Sequence, residues 1–122
     1  MSVHLVFCLR RLPTLTLSEF LSYWRDTHAP LVRERAAALH IERYEQAHPL
    51  AGWPAQPVAD VRNAPEPYDG IASLWFASVE EFYAGGSTPE GRRAARELLE
   101  DERRFIDLER SPIWLAEDQR VV

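Results

Sequence analysis

The chain opens on a strand that is apolar on both sides. In the run Val3-His-Leu-Val-Phe-Cys-Leu-Arg10, Leu5, Phe7 and Leu9 point one way and Val6 and Cys8 the other, because strand side chains alternate at period two. Leu12-Pro13 ends it. A strand of this kind has to be covered on both faces. With 122 residues the chain has one domain's worth of material to do so. The fold must therefore put this strand inside a sheet, with helices over one face and something further over the other.

The remaining pattern supplies the helices and the partner strands. Thr16 and Glu19 have capping-box spacing, and Phe20, Leu21, Trp24, His28, Leu31, Val32 and Leu39 recur at helical spacing behind them. Pro30 interrupts the pattern and predicts a kink or break near 28–30. Residues 40–48 read as a second strand, with Ile41, Arg43, Glu45 and Ala47 on one face and Glu42, Tyr44, Gln46 and His48 on the other. Residues 49–68 hold five of the nine prolines and no periodicity. A stretch of that length in a small domain is usually functional or mobile. Residues 70–77 read as a third strand. Ser78 and Glu81 open a short helix that ends at Gly85-Gly86. Ser87 and Glu90 open a longer one to about Ile106, with Ala95, Leu98, Leu99, Phe105 and Ile106 on its inner stripe and Glu102 as the one polar exception. A last strand covers about 110–117.

The order β-α-β-β-α-β is the ferredoxin-like split arrangement: an α+β fold with a four-stranded antiparallel sheet and helices on one face, as a single domain over 1–122. The opposite face would be barer than a soluble monomer tolerates. A homodimer packed sheet against sheet is therefore expected.

Composition removes several function classes. The net charge of −5 disfavours nucleic acid as a partner. No apolar run reaches the ~18–20 residues of a membrane span, and Met1-Ser-Val-His4 has no basic segment before an apolar core, so a cytoplasmic protein is expected. Cys8 is the only cysteine, which excludes an intrachain disulfide and a thiolate zinc site. All 14 basic residues are arginine, which excludes lysine Schiff-base chemistry. Histidines 4, 28, 40 and 48 have no metal-ligand spacing, and no nucleotide or phosphate loop is present, so neither a metal nor a cofactor is expected.

The candidates for chemistry are few. His28 lies four residues after Trp24 beside Pro30, and an imidazole titrates near neutrality. A core histidine bonded to a carbonyl is the plainer alternative. Tyr44, Gln46 and His48 alternate along one strand face, where phenol, amide and imidazole can orient a polar substrate and relay protons; a solvated or dimer-facing strand is the other reading. Of the aromatic residues most should be core, but a few lining a cavity, Phe7 and Trp75 among them, would suit a flat ligand. Trp53, in the proline-rich stretch, is placed to act as a lid.

The segment Phe20-Leu-Ser-Tyr-Trp-Arg-Asp-Thr-His-Ala-Pro-Leu-Val32 resembles the helix signature of the EthD family, and Arg43-Tyr-Glu-Gln-Ala-His48 resembles its second strand. Tyr68-Asp-Gly, Leu74-Trp-Phe and Ser87-Thr-Pro-Glu-Gly91 match its later pattern, so the resemblance covers nearly the whole chain. It implies a dimeric α/β barrel of ferredoxin-like protomers. His28 would be the acid/base residue, Tyr44 and His48 would orient substrate or relay protons, and Trp24 would line the pocket. The resemblance is firmer about fold than about reaction. The expectation is a cofactor-independent cyclase, isomerase, dehydratase or decarboxylase acting on a small aromatic or polyketide-like compound. The alternatives are a cofactor-free monooxygenase of the same superfamily and a non-catalytic ligand-binding or accessory protein.

Overall fold

The computed structural model describes residues 3–52 and 56–122. Strand β1 (Val3–Leu9) leads into helix α1 (Leu17–Tyr23), a π turn (Trp24–His28) and helix α2 (Ala29–Leu39). Strand β2 (Arg43–Ala47), a short helix α3 (Gln56–Asp60) and strand β3 (Gly70–Phe76) follow. Helices α4 (Val79–Gly85) and α5 (Pro89–Glu102), a 3₁₀ turn (Leu108–Arg110) and strand β4 (Ile113–Glu117) complete the chain. The sheet is antiparallel in the order β2-β3-β1-β4, with β1 and β3 central. This is the expected ferredoxin-like arrangement. The proline-rich stretch contains α3, which its lack of periodicity did not announce.

Helices α1 and α4 start at the capping residues expected, Thr16 and Ser78, whereas α5 is capped one residue later than expected, by Thr88 rather than Ser87. The Thr16 hydroxyl accepts from the Glu19 N–H, and the Glu19 carboxylate accepts from the Thr16 N–H. The hydroxyls of Ser78 and Thr88 each accept from one N–H, that of Glu81 and of Gly91, and so cap α4 and α5. Pro30 does not break the first helix. Instead, the turn just before it widens to the i→i+5 pattern, with the Ala29 N–H donating to the Trp24 carbonyl. A π turn absorbs one extra residue without ending the helix, so α2 continues at once, with Pro30 in its first turn, where its missing N–H costs little.

The two faces of the sheet differ. Leu5, Phe7 and Leu9 of β1, Ala72, Leu74 and Phe76 of β3 and Tyr44 of β2 look towards the helices. The core joins Phe7, Leu9, Phe20, Trp24, Ala72, Phe105 and Ile106. Phe20 and Phe105 are fully buried and each contributes roughly 1.5–3 kcal/mol by burial alone. The other face carries His4, Val6 and Cys8 of β1 with Ile71, Ser73 and Trp75 of β3. There the Trp75 ring stacks on His4 at 4.3 Å between centroids, the Arg43 guanidinium covers it, and its indole N–H donates to Asp118 at 2.8 Å.

Helix α5 turns Leu98 inward as expected, with Phe105 and Ile106 buried just beyond it, but its buried stripe is shifted at the edges. Gly91, Ala94, Leu98 and Asp101 are buried, whereas Leu99 is exposed. The cause lies at its N-terminus. Gly91 sits so close to the Gly85 carbonyl at the end of α4 that a Cβ would overlap it, which fixes the rotation of the helix. The Arg35–Glu97 ion pair at 2.8 Å then ties α5 to α2.

Gly70 plays a related part for Trp24. A Cβ there would collide with the six-membered ring of the indole, so only glycine at the start of β3 lets that ring lie flat beside the sheet. Gly70→Ala should lower stability by about 1–3 kcal/mol through overpacking. Urea titration of both proteins followed by tryptophan fluorescence checks it; an unchanged midpoint would show that Trp24 has room to move.

Candidate active site

A cavity of about 340 Å³ opens between the sheet and the helices. That lies within the range of small-molecule sites. Its walls are mostly apolar: Leu5, Phe7 and Leu9 from β1, Ala72, Leu74 and Phe76 from β3. Three of the polar side chains that line it come from three separate elements. They are His28 from the π turn, Tyr44 from β2 and Glu102 from the end of α5.

His28 is buried and held by a carboxylate. Its Nδ1 lies 2.7 Å from Asp101 Oδ2, and Asp101 is itself 2% exposed. Asp101 also accepts from the Tyr23 hydroxyl at 2.6 Å and from the Arg104 guanidinium at 3.1 Å. Burial works against its charge, yet these donors outweigh it and hold its carboxyl below the usual range. An ionised Asp101 only accepts, so the His28 proton sits on Nδ1 and the Nε2 lone pair is left for the cavity. Burial lowers the His28 pKa against the pull of Asp101. The ring is therefore neutral and basic near neutral pH, fixed in one tautomer by its carboxylate partner.

Tyr44 is aimed by a second chain of hydrogen bonds. The Trp24 carbonyl can only accept, so it takes one N–H of the Gln46 amide at 3.0 Å. The same amide nitrogen donates to the Tyr44 hydroxyl oxygen at 2.8 Å. Gln46 Oε1 then faces His48 Nε2 at 2.7 Å, which makes His48 the donor there. With its oxygen already accepting from Gln46, the Tyr44 hydroxyl has its own proton to offer towards the cavity. Burial raises the Tyr44 pKa, with nearby Glu102 adding to the rise, while Gln46 and Trp24 pull it down. The phenol stays protonated at neutral pH.

Glu102 makes no hydrogen bond through its carboxyl to any described residue. Burial, and then the Asp101 charge beside it, push that carboxyl up to about 7 against the pull of Arg103.

The residues expected at the site divide accordingly. His28, Tyr44, Trp24 and Phe7 line the cavity. Gln46 stands behind Tyr44, and His48 behind Gln46. The His48 ring stacks on Trp24 at 4.6 Å and does not line the cavity with His28, so the two histidines do not flank one pocket. Burial, with Arg25 nearby, lowers its pKa. Trp75 belongs to the opposite face: Leu74 and Phe76 point inward, and period two sends the residue between them outward. Trp53 lies outside the described residues. Asp101 and Tyr23 were not anticipated. Asp101 sits in the charged run Glu100-Asp-Glu-Arg-Arg104, which reads as a solvated face, although Ala94, Leu98 and Phe105 at helical spacing around it carried the signal of burial. Glu102 gave a clearer hint as the single polar residue of an apolar stripe.

Architecture and site together define a ferredoxin-like α+β protein with a ligand-sized cavity between its sheet and helices. The EthD domain matches residues 12–109, and the chain belongs to the EthD family. An EthD family protein from Bacillus halodurans C-125 shares the fold with a TM-score of 0.64 at 18% identity, over 98% of this chain and 100% of that one. A dimeric ferredoxin-like protein of unknown function from Thermobifida fusca gives 0.59 at 14%, over 95% and 90%. The cofactor-independent oxygenase SnoaB from Streptomyces nogalater gives 0.57 at 12%, over 99% and 96%. No curated protein sequence matches the chain significantly. No helix among the described residues is long and apolar enough to cross a membrane.

The environment of Glu102 has a consequence for stability. Its folded pKa of about 7 lies above the 4.5 of a free glutamate. Its favourable contribution is therefore complete below about 4.5 and is lost as pH rises through 7. Glu102→Gln, which cannot ionise, should gain on wild type between pH 4.5 and pH 8 by roughly 1–3 kcal/mol. Thermal melts of both proteins across that range check it; a constant gap between the two would mean that Glu102 titrates normally.

Proposed function

We propose that the chain is an acid/base enzyme that transfers protons on a small aromatic or polyketide-like compound, using its own side chains and acting as a homodimer. The observation that carries the reading is the His28–Asp101 pair at the wall of an apolar cavity. His28 Nε2 takes a proton from a carbon or phenol of the bound compound. Asp101 steadies the imidazolium that forms, and the Tyr44 hydroxyl donates to the oxygen on which negative charge develops. The apolar walls favour a ligand that is largely hydrophobic. Cyclisation, isomerisation, dehydration and decarboxylation all use this step.

The test is a panel of phenolic and polyketide-like aromatic ketones, incubated with wild type and His28→Ala and read by mass spectrometry. Wild type should give product, and the variant should be slower by about 10²–10⁴-fold, the usual weight of one positioned acid/base group. The mass change names the reaction. Incorporated oxygen would instead favour a cofactor-free oxygenase, the activity that SnoaB carries on this fold. Ligands that stabilise both proteins equally without product would favour a binding protein.

Two observations support the homodimer. Trp114 and Ile71 remain exposed on the sheet face away from the helices, and the Thermobifida fusca protein is dimeric. Light scattering should give about 28 kDa, twice the 14.1 kDa of the chain; a mass near 14.1 kDa at micromolar concentration would overturn it.

A further inference from the structure

We infer that Glu102 is a second proton carrier of the cavity, working opposite His28, and that the pair interconverts keto and enol forms of an apolar ketone. The inference rests on the acid/base reading of His28 and adds to it the partner that makes the transfer two-sided.

Geometry gives the first argument. His28 and Glu102 line the same cavity from different elements, and each keeps a polar group that no described residue hydrogen-bonds. Asp101 occupies Nδ1 of His28 and leaves Nε2. No described residue hydrogen-bonds the Glu102 carboxyl. A half-buried carboxyl in an apolar wall, without a partner, is costly unless it is protonated or has a task. Placing it directly after Asp101 adds to the cost, because two adjacent carboxylates resist double ionisation. Asp101 keeps its charge with three donors, so Glu102 is the one that holds a proton. The result is a neutral base and a neutral acid facing one apolar space. Groups pushed apart in this way assign the two roles.

The second argument is what such a pair can do. His28 Nε2 removes a proton from the carbon beside a carbonyl. The C–H electron pair becomes the new C=C bond, the carbonyl π pair moves onto oxygen, and that oxygen takes the Glu102 proton. The Tyr44 hydroxyl hydrogen-bonds the same oxygen throughout. The product is the enol. The imidazolium then loses its proton to water at the cavity mouth, and the carboxylate regains one. No oxidant or reductant is consumed. A cavity of about 340 Å³ accepts a ketone of two or three fused rings. No arginine lines it, which argues against an anionic substrate.

The pH behaviour depends on all the groups around Glu102. These are Asp101 and Arg103 on its own helix, Tyr44 from β2, His28 from the π turn and Tyr83 from α4. As the acid, Glu102 must be protonated, so the rate should fall as pH rises through about 7. As the base, His28 must be neutral, so the rate should fall again only below its lowered pKa.

The experiment follows hydrogen–deuterium exchange at the carbons flanking the carbonyl of 2-tetralone in D₂O by proton NMR, with wild type, His28→Ala and Glu102→Gln. Wild type should exchange faster than buffer, and His28→Ala should match buffer. Glu102→Gln keeps the shape of the side chain but has no acidic proton. It should lose about 10²-fold and lack the alkaline fall. Exchange by Glu102→Gln at the wild-type rate, with the alkaline fall retained, would overturn the inference and leave the His28 reading standing. Wild type no faster than buffer, whether or not 2-tetralone quenches tryptophan fluorescence, would overturn the inference; matching product from the ketone panel would show that the His28 reading survives. If Glu102→Gln does not fold, a wild-type profile without the alkaline fall overturns it.

Discussion

One extra residue in a helical turn organises this protein. The π turn at Trp24–His28 places an indole and an imidazole on the inner face of the first helix, and both are buried. The same turn presents the Trp24 carbonyl to β2, where it receives the Gln46 amide as well as the Ala29 N–H. The wide turn thus touches both hydrogen-bond systems of the cavity. His28 extends from it towards Asp101, and Gln46 leans on it to steady Tyr44. A regular α-helical turn would change the rotation of everything before it relative to everything after it.

A buried carboxylate forms the second anchor. Asp101 joins α1, the π turn and the C-terminal end of α5 through Tyr23, His28 and Arg104. A carboxylate this deep is stable only because three donors converge on it. Those donors also tie the helices to one another, so stability and chemistry share the same bonds. Such sharing makes the site rigid and leaves few substitutions that affect one property alone.

Much of this was legible in the sequence, for reasons that can be assigned to particular residues. The strands and all the helices but α3 follow from alternation, capping residues and the Gly85-Gly86 stop, because those are local effects. Pro30 signalled a disturbance in the first helix, but a widened turn rather than a break is a tertiary choice that rewards burial of Trp24 and His28. Asp101 was obscured by the charges next to it, since a run of charged residues looks solvated until the rotation of its helix is known. That rotation is set by the Gly91–Gly85 approach, a contact between two elements. Trp75 shows the same limit for strands. Leu74, Trp75 and Phe76 are all apolar, so alternation says that one differs from its neighbours in direction but not which way the set faces.

The Gln46 amide carries one more meaning. Because a main-chain carbonyl can never donate, the orientation of the whole chain from His48 through Gln46 to Tyr44 is written into the backbone at Trp24. Gaining a proton on His48 would leave its Nε2–H still donating, so the polarity of the relay is blind to that charge. The phenol therefore points its hydrogen the same way in acid and in base. Whatever acidity dependence the cavity possesses has to come from the carboxyl and imidazole on the helices, while the strand side supplies a fixed electrostatic compass.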